Sequence, residues 1–386
     1  MIPYGRQDID KSDEDAILEV LRSDYLTQGP VVPRFENAVT EYCDASYAVA
    51  VNSATSGLHL ACLALGLKQG DIVWTSPITF VASANCALYC GAKLEFVDID
   101  PITYTMCPEA LRYKLEMAAN SGLLPKIVIP VHLCGQSCAM KEIYALSQYY
   151  GFKIIEDASH AIGGLYLEKS VGCCEYSDIT VFSFHPVKII TTAEGGMALT
   201  NNANLAEKMM LLRSHGITRD QAKMTHEPDG AWYYQQIALG FNYRMTEIQA
   251  ALGISQMKRI DAFVARRREL AKRYSELLID LPLRLPVQHH DCLSSYHLYV
   301  VRLNCFVSKI SKKDLFDQLR ERGIGVNLHY IPVNMQPYYL GLGFTGLECP
   351  EAVQYYKEAI SLPLFAAMTD EQQIQVFDAL ISELKF

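Results

Sequence analysis

Ser183-Phe184-His185-Pro186-Val187-Lys188-Ile189-Ile190-Thr191-Thr192-Ala193-Glu194-Gly195-Gly196 is the stretch on which the fold turns. Ile179, Val181 and Phe182 before it and Met197, Leu199 and Thr200 after it are β-formers, so Lys188 is expected in a turn between two strands. A lysine placed there is not spread along a solvated helix face. It offers one amine beside a sheet, the group that forms a Schiff base with a carbonyl. A lone lysine near a glycine pair also has a plain reading as a turn residue in a chain with 34 Lys and Arg together.

Upstream, Lys153-Ile154-Ile155-Glu156-Asp157 reads as a short buried strand, with Asp157 at its carboxyl end where open α/β sheets place their ligands. Ala158-Ser159-His160 follows, a polar group within reach of the same crevice. Tyr47 to Val51 is an earlier strand, and Asn52-Ser53-Ala54-Thr55-Ser56-Gly57 opens a helix through Leu58, Ala61 and Leu65. Such a turn exposes backbone N–H groups and the positive end of a helix dipole, to which Thr55 and Ser56 add hydroxyls. It is a phosphate site if Lys188 and Asp157 act with it, and an ordinary N-cap if they do not.

The alternation continues with strands Ile72 to Ser76, Leu94 to Val97 and Ile127 to Val131, and helices ending near Tyr89, over Pro108 to Ala119 and over Met140 to Tyr150. That pattern predicts a mostly parallel sheet, and right-handed crossovers bring Thr55, Phe80 and Asp157 to one rim. GxGxxG between a strand and a helix, and GxxxxGK[ST], are both missing, which sets aside dinucleotide and P-loop readings.

At the N-terminus, Ser12 with Asp15 resembles a capping box for a helix ending near Ser23, and Tyr25 to Pro30 is rich in turn formers. Beyond the lysine turn, helix Ala203 to Arg213 leads to a long polar and aromatic segment, Ser214 to Gly240, carrying Trp232, Tyr233 and Tyr234. It serves substrate or dimer contacts, or packs on its own aromatics. Phe241 to Thr246 precedes a long helix expected to continue past Gln256 through Arg266, Arg267 and Arg268, a run read as a solvated face. A boundary near Pro282 to Pro286 precedes strand Tyr299 to Leu303, helix Ser311 to Arg322, strand Val326 to His329 and a last helix capped by Thr369 with Gln372. His289, His290 and Asp291 read as an exposed turn, and no metal site is expected.

Half of the 386 residues are apolar or aromatic, enough for one large and one smaller core. The net charge of −9 argues against nucleic-acid and anionic membrane surfaces while permitting a local basic pocket. No signal peptide or membrane span is read, so a cytoplasmic location is expected. The twelve cysteines include no Cys-x-x-Cys pair and read as reduced thiols. Cys86 with Cys90 and Cys134 with Cys138 share a three-residue gap.

EDASHA, SFHPVK, ITTAEGG and GFNYRMTEIQAALG together resemble the DegT/DnrJ/EryC1/StrS sugar aminotransferases. MIPYGRQDID, SDYLTQGPVVPRFE, RSHGITRD and VNLHYIPVNMQPYY are most similar to the pseudaminic acid branch of that family. The resemblance implies the aspartate aminotransferase-like α/β fold (fold type I), with a large pyridoxal phosphate domain and N-terminal arm over 1–255 and a small C-terminal α/β domain over 256–386. It implies a homodimer with shared sites, acting on L-glutamate and a UDP-linked keto sugar. Catalytic roles fall on Lys188 and Asp157, and cofactor contacts on Thr55, Ser56, Phe80, Asp157, His160, Ser183, Lys188 and, from the neighbouring subunit, Asn242. Substrate contacts fall on Tyr4, Thr27, Gln28, Trp232, Arg244, His329 and Tyr330, with Arg244 either holding a donor carboxylate or pinning its own segment. His160 stands where many relatives carry Gln, and Ala193 where Gly is frequent.

Overall fold

The computed structural model describes residues 1–384. Seven strands form the central sheet: β1 (Tyr47–Val51), β2 (Ile72–Thr75), β3 (Lys93–Phe96), β4 (Ile127–Ile129), β5 (Lys153–Asp157), β6 (Ile179–Ser183) and β7 (Gly196–Thr200). Their spatial order is β1-β7-β6-β5-β4-β2-β3. The pairs β2–β3, β2–β4, β4–β5 and β5–β6 are parallel. β7 alone runs antiparallel to both of its neighbours. This is the mostly parallel sheet expected from the alternating pattern.

Both faces of the sheet are covered, which explains why its strands read as continuous apolar runs. Ile127 and Ile129 enter one core while Val128 between them enters the other. Along β7, Ala198 packs to one side and Met197 and Leu199 to the opposite side. The strand-then-helix repeat therefore buries alternate side chains in separate layers.

A second sheet joins β8 (Leu283–Arg284), β9 (Tyr299–Leu303) and β10 (Ala359–Leu362) in antiparallel order with β9 central. It shares a core with side chains from helices Ile260–Leu277, Lys312–Glu321 and Asp370–Leu384. Ile2 joins that same core. Its N–H donates to the Gly323 carbonyl and its own carbonyl accepts from Gly325. The start of the chain is thereby held next to the segment that carries His329.

Four local expectations need correction. The first helix, Lys11–Leu21, is capped by Asp10 with Asp13, not by Ser12 with Asp15. The Asp10 carboxylate accepts the Ser12 and Asp13 N–H groups, and the Asp13 carboxylate accepts the Asp10 N–H in return. The long helix after Thr246 is two helices, Glu247–Met257 and Ile260–Leu277, parted at Lys258 and Arg259. Val326 to His329 forms no strand; one bridge, Asn327 with Ser361, holds it before the backbone turns into the cleft.

The arginine run is the fourth. Arg267 is fully buried and donates to the carbonyls of Tyr296, His297 and Leu364, while Arg268 donates to those of Gly163 and Ser294. Only Arg266 pairs in the expected way, with Glu269 and Asp370 near the surface. Loop carbonyls otherwise orphaned in the interior recruit these donors.

Candidate active site

β5 and β6 end side by side, so Asp157 and Ser183 open onto the same crevice. Lys188 reaches it from the turn beyond β6. That cleft has a volume of about 910 Å³. Burial pulls the Lys188 amine down to about 8, and the Asp157 charge opposes the shift. The amine is therefore partly neutral near neutral pH, which a nucleophile and proton carrier requires.

Asp157 is fixed from two sides. Ser83 Oγ donates to Oδ2 at 2.5 Å, and the Ser159 N–H donates to Oδ1 at 3.1 Å. Ser83 in turn shares a 2.7 Å hydrogen bond with Thr79. Remaining lone pairs on the carboxylate are left to meet a protonated ring nitrogen.

Helix Ala54–Ala64 points its N-terminus at the cleft. Ser53 caps it by accepting the Ser56 N–H, and Ser56 Oγ donates to Asn52 Oδ1 at 2.6 Å. β7 presses against this cap: a Cβ on Gly196 would stand 2.5 Å from the Ala54 nitrogen. Only a glycine admits that approach. Thr55, Ser56 and Ser183 thus collect at one end of the cleft with the helix dipole behind them.

Phe80 stands 59% exposed at the cleft wall, a flat apolar ring without a covering layer, 6.3 Å between centroids from Tyr330. His160 accepts the Cys134 N–H at Nδ1, so its proton sits on Nε2, 3.1 Å from the Tyr330 hydroxyl. Burial, then the charges of Lys188 and His329, keep His160 well below the ordinary histidine range. His329 is held at about 3 by burial and then by Lys188; it hydrogen-bonds Ser361 at 2.8 Å and packs on Tyr4 with ring centroids 5.1 Å apart. Burial raises the Tyr330 phenol, with Asp157 adding to the rise.

Of the sequence-expected residues, the cleft brings together Lys188, Asp157, Thr55, Ser56, Phe80, His160, Ser183, Tyr4, His329 and Tyr330. It does not bring in Asn242, Thr27, Gln28, Trp232 or Arg244. Asn242, Thr27, Gln28 and Trp232 are exposed, and the Arg244 Nε is buried with no partner. The loop holding Thr27 and Gln28 is anchored through Glu247, whose carboxylate accepts the Val31 and Val32 N–H groups and whose own N–H donates to the Leu26 carbonyl. His289, His290 and Asp291 come within 4.8 Å of one another in a turn outside the cleft.

Three residues that line or brace the cleft carry little signal in the sequence. Ser83 looked like one more small residue in an apolar helix. His297 lies against His160 with centroids 4.4 Å apart, and its buried Nδ1 has no partner. Its only signal was a histidine just before a strand. Gln249 donates to the Glu194 carbonyl at 2.7 Å, linking the GFNYRMTEIQAALG stretch to the lysine turn.

This donor set fits pyridoxal phosphate: a helix N-terminus with hydroxyls for the phosphate, a buried amine for the aldehyde, a braced carboxylate for the ring nitrogen and an uncovered aromatic face for the ring. The DegT/DnrJ/EryC1/StrS aminotransferase family matches residues 7–381. A Campylobacter jejuni UDP-4-amino-4,6-dideoxy-N-acetyl-beta-L-altrosamine transaminase is 37% identical over 100% of this chain and 98% of its own. Helicobacter pylori PseC, an aminotransferase involved in the biosynthesis of pseudoaminic acid, superposes with a TM-score of 0.89 at 31% identity, covering 100% of this chain and 99% of its own. The PLP form of a putative sugar aminotransferase from Streptococcus pneumoniae, Spr1654, superposes at 0.88 and 27% identity, covering 99% of this chain and 98% of its own. With the cofactor-shaped cleft and a family match over nearly its whole length, the chain belongs to the DegT/DnrJ/EryC1/StrS aminotransferase family.

Proposed function

We propose that this aminotransferase moves the amino group of L-glutamate to the C4 keto group of a UDP-linked 4-keto-6-deoxy-N-acetyl hexose, giving UDP-4-amino-4,6-dideoxy-N-acetyl-β-L-altrosamine for pseudaminic acid synthesis. The observation that carries the reaction class is the Lys188 amine, held near neutrality by burial at the floor of the cleft beside Asp157. Full-length similarity to the altrosamine transaminase supports the substrate.

Pyridoxal phosphate is the cofactor, and when bound it supplies an aldehyde for the lysine amine and a ring that draws electrons from the reacting carbon. We assign Thr55, Ser56 and Ser183 to its phosphate, Phe80 to its ring face and Asp157 to its ring nitrogen. With the cofactor in place, Lys188 Nζ would take the proton from the donor's α-carbon and later deliver one to the sugar's C4. One residue serves as base and then acid. The His160 Nε2–H donates to the Tyr330 hydroxyl, which leaves the phenol proton to be donated toward the ring position, with His160 kept neutral by burial. Tyr4, His329 and Tyr330 on the far wall are assigned to the sugar.

The active unit in this reading is a homodimer. Tyr25, Leu26, Trp232, Tyr234, Ile237 and Leu239 are exposed on the two segments that carry Thr27, Gln28 and Trp232, apolar side chains that a partner subunit would cover. Asn242, Thr27, Gln28, Trp232 and Arg244, outside their own chain's cleft, then serve the partner's cleft.

The test is a panel of UDP- and dTDP-linked 4-keto sugars with L-glutamate, following 2-oxoglutarate release. Preferred turnover of the UDP-linked N-acetyl sugar supports the assignment. Preference for a dTDP sugar, or for a different ring configuration, replaces the substrate while leaving the reaction class. A cofactor absorbance that does not respond to glutamate removes the reaction class as well.

A further inference from the structure

His297 enters the cleft wall just ahead of β9. Its carbonyl accepts from Arg267 Nη1 at 3.2 Å, and the N–H of the next residue, Leu298, donates to the Cys134 carbonyl, so the backbone is fixed from two directions. The imidazole is 3% exposed, lines the cleft and packs against His160 with ring centroids 4.4 Å apart. It makes no side-chain hydrogen bond among the described residues, and its Nδ1 is sealed from water as well. The neighbouring polar groups are engaged: Asp157 by Ser83 and Ser159, His160 by Cys134 and Tyr330, His329 by Ser361. A buried polar side chain left open in such a wall is matched by a partner that arrives with the ligand.

Burial, then the charges of His160, Lys188, Arg267 and His329, hold His297 well below the ordinary histidine range. The ring is neutral and carries one proton. On Nδ1 that proton would be a buried donor facing nothing, whereas on Nε2 it opens onto the cleft. The surroundings favour Nε2–H, a donor offered to the bound molecule.

The charges of the cleft narrow the acceptor. Among the described residues that line it there is no arginine, and Lys188, needed neutral for reaction, is the one ammonium group. An amino donor carries a carboxylate one bond from the carbon that meets Lys188, so this anion comes to rest on the cleft floor, where the chain itself offers neutral donors. The keto sugar has no charged group at the matching atom. We propose that His297 is a specificity residue for the amino donor, its Nε2–H donating to the donor's α-carboxylate. The proposal rests on the reading above only for which amino acid serves, since every α-amino acid presents the same group.

The test is the calorimetric affinity of the holoenzyme for α-methyl-L-glutamate, which has no α-proton to lose and so binds without turning over. His297→Phe keeps a ring against His160 and removes the donor; binding should weaken roughly ten- to a hundredfold while half-saturation by the UDP-linked keto sugar stays within about twofold. His297→Gln, which restores an N–H, should recover part of the loss. Wild-type affinity in His297→Phe overturns the proposal, and so does a loss shared equally by donor and sugar, which marks a packing role. A loss seen only in Arg244→Ala overturns it too. Binding of 2-aminoisobutyrate but not of α-methyl-L-glutamate to the wild type would remove glutamate as the donor and move the same comparison to that ligand; binding of neither overturns the proposal. Should the variants not fold, a crystal structure of the wild type with the ligand decides: the α-carboxylate must lie within hydrogen-bond distance of His297 Nε2, and contacts to other groups alone overturn the assignment.

Discussion

Ser83 Oγ and Asp157 Oδ2 lie 2.5 Å apart across 74 residues of sequence, joining the start of one helix to the end of a central strand. A hydrogen bond to a charged group contributes about 1.5–3 kcal/mol, so Ser83→Ala should lower kcat by roughly one to two orders of magnitude. KM for glutamate should change little, because Ser83 acts through Asp157. Ser83→Thr should recover part of the loss, and Asp157→Asn should fall further while still binding cofactor. An Ala variant as active as wild type would show that the brace is idle.

The Lys188 value of about 8 sets a pH dependence. The neutral amine is the nucleophile, so cofactor capture by the cofactor-free protein should speed up with pH and level off above about 8. Because the folded value lies below the ordinary 10.5, the unfolded chain holds more protons between the two. The burial penalty is then full below about 8 and fades as pH rises toward 10.5. Lys188→Ala should abolish both the capture profile and this contribution. Stopped-flow absorbance and urea titrations at several pH values report them.

Mixed dimers test the shared cleft. Lys188→Ala and Asn242→Ala chains, each inactive alone, should regain activity on mixing, because one of the two sites in each heterodimer then holds both wild-type groups. Full activity in a monomer, or no rescue in confirmed heterodimers, would exclude sharing.

Ala193 sits in the lysine turn at φ 63°, a left-handed conformation that strains a residue with a Cβ. Its N–H donates to Thr191 Oγ1 at 2.9 Å, which holds it there. Ala193→Gly should raise stability by up to about 1 kcal/mol, less the added freedom of the unfolded chain. The urea midpoint should rise at constant slope.

Arg267 satisfies three interior carbonyls. Arg267→Met should destabilise by about 3 kcal/mol or more, since it removes donors from groups that water cannot reach. All three carbonyls accept from one nitrogen, Nη1, so Arg267→Lys, whose ammonium also gathers its donors on one atom, should recover part of the loss. Thermal melts of the three proteins provide the comparison.

What the sequence made legible was local. The turn around Lys188, the strand ending at Asp157 and the polar turn before Leu58 each announce themselves through a few neighbouring residues. Ser83 and His297 do not, because their roles arise from partners far along the chain and their own neighbours are apolar. Arg267 misled for a related reason. Three adjacent arginines resemble a solvated face, and their partners are backbone carbonyls, which leave no mark in residue identity. Asn242 is marked only by family likeness, and Trp232 only by the length and aromatic content of its segment; neither carries a local signal of which cleft it would serve.

The contact between Gly196 and the Ala54 nitrogen makes the lysine turn and the phosphate-end cap a single mechanical part. A library that randomises Ser183 to Gly196 to change substrate preference explores a segment whose last position has no free volume. Methyl-bearing residues at 196 would wedge the two ends of the cofactor pocket apart, and the resulting failures would be read as lost catalysis when the defect is a misfit between parts. Grafting the turn onto another scaffold likewise requires transplanting the opposing cap with it.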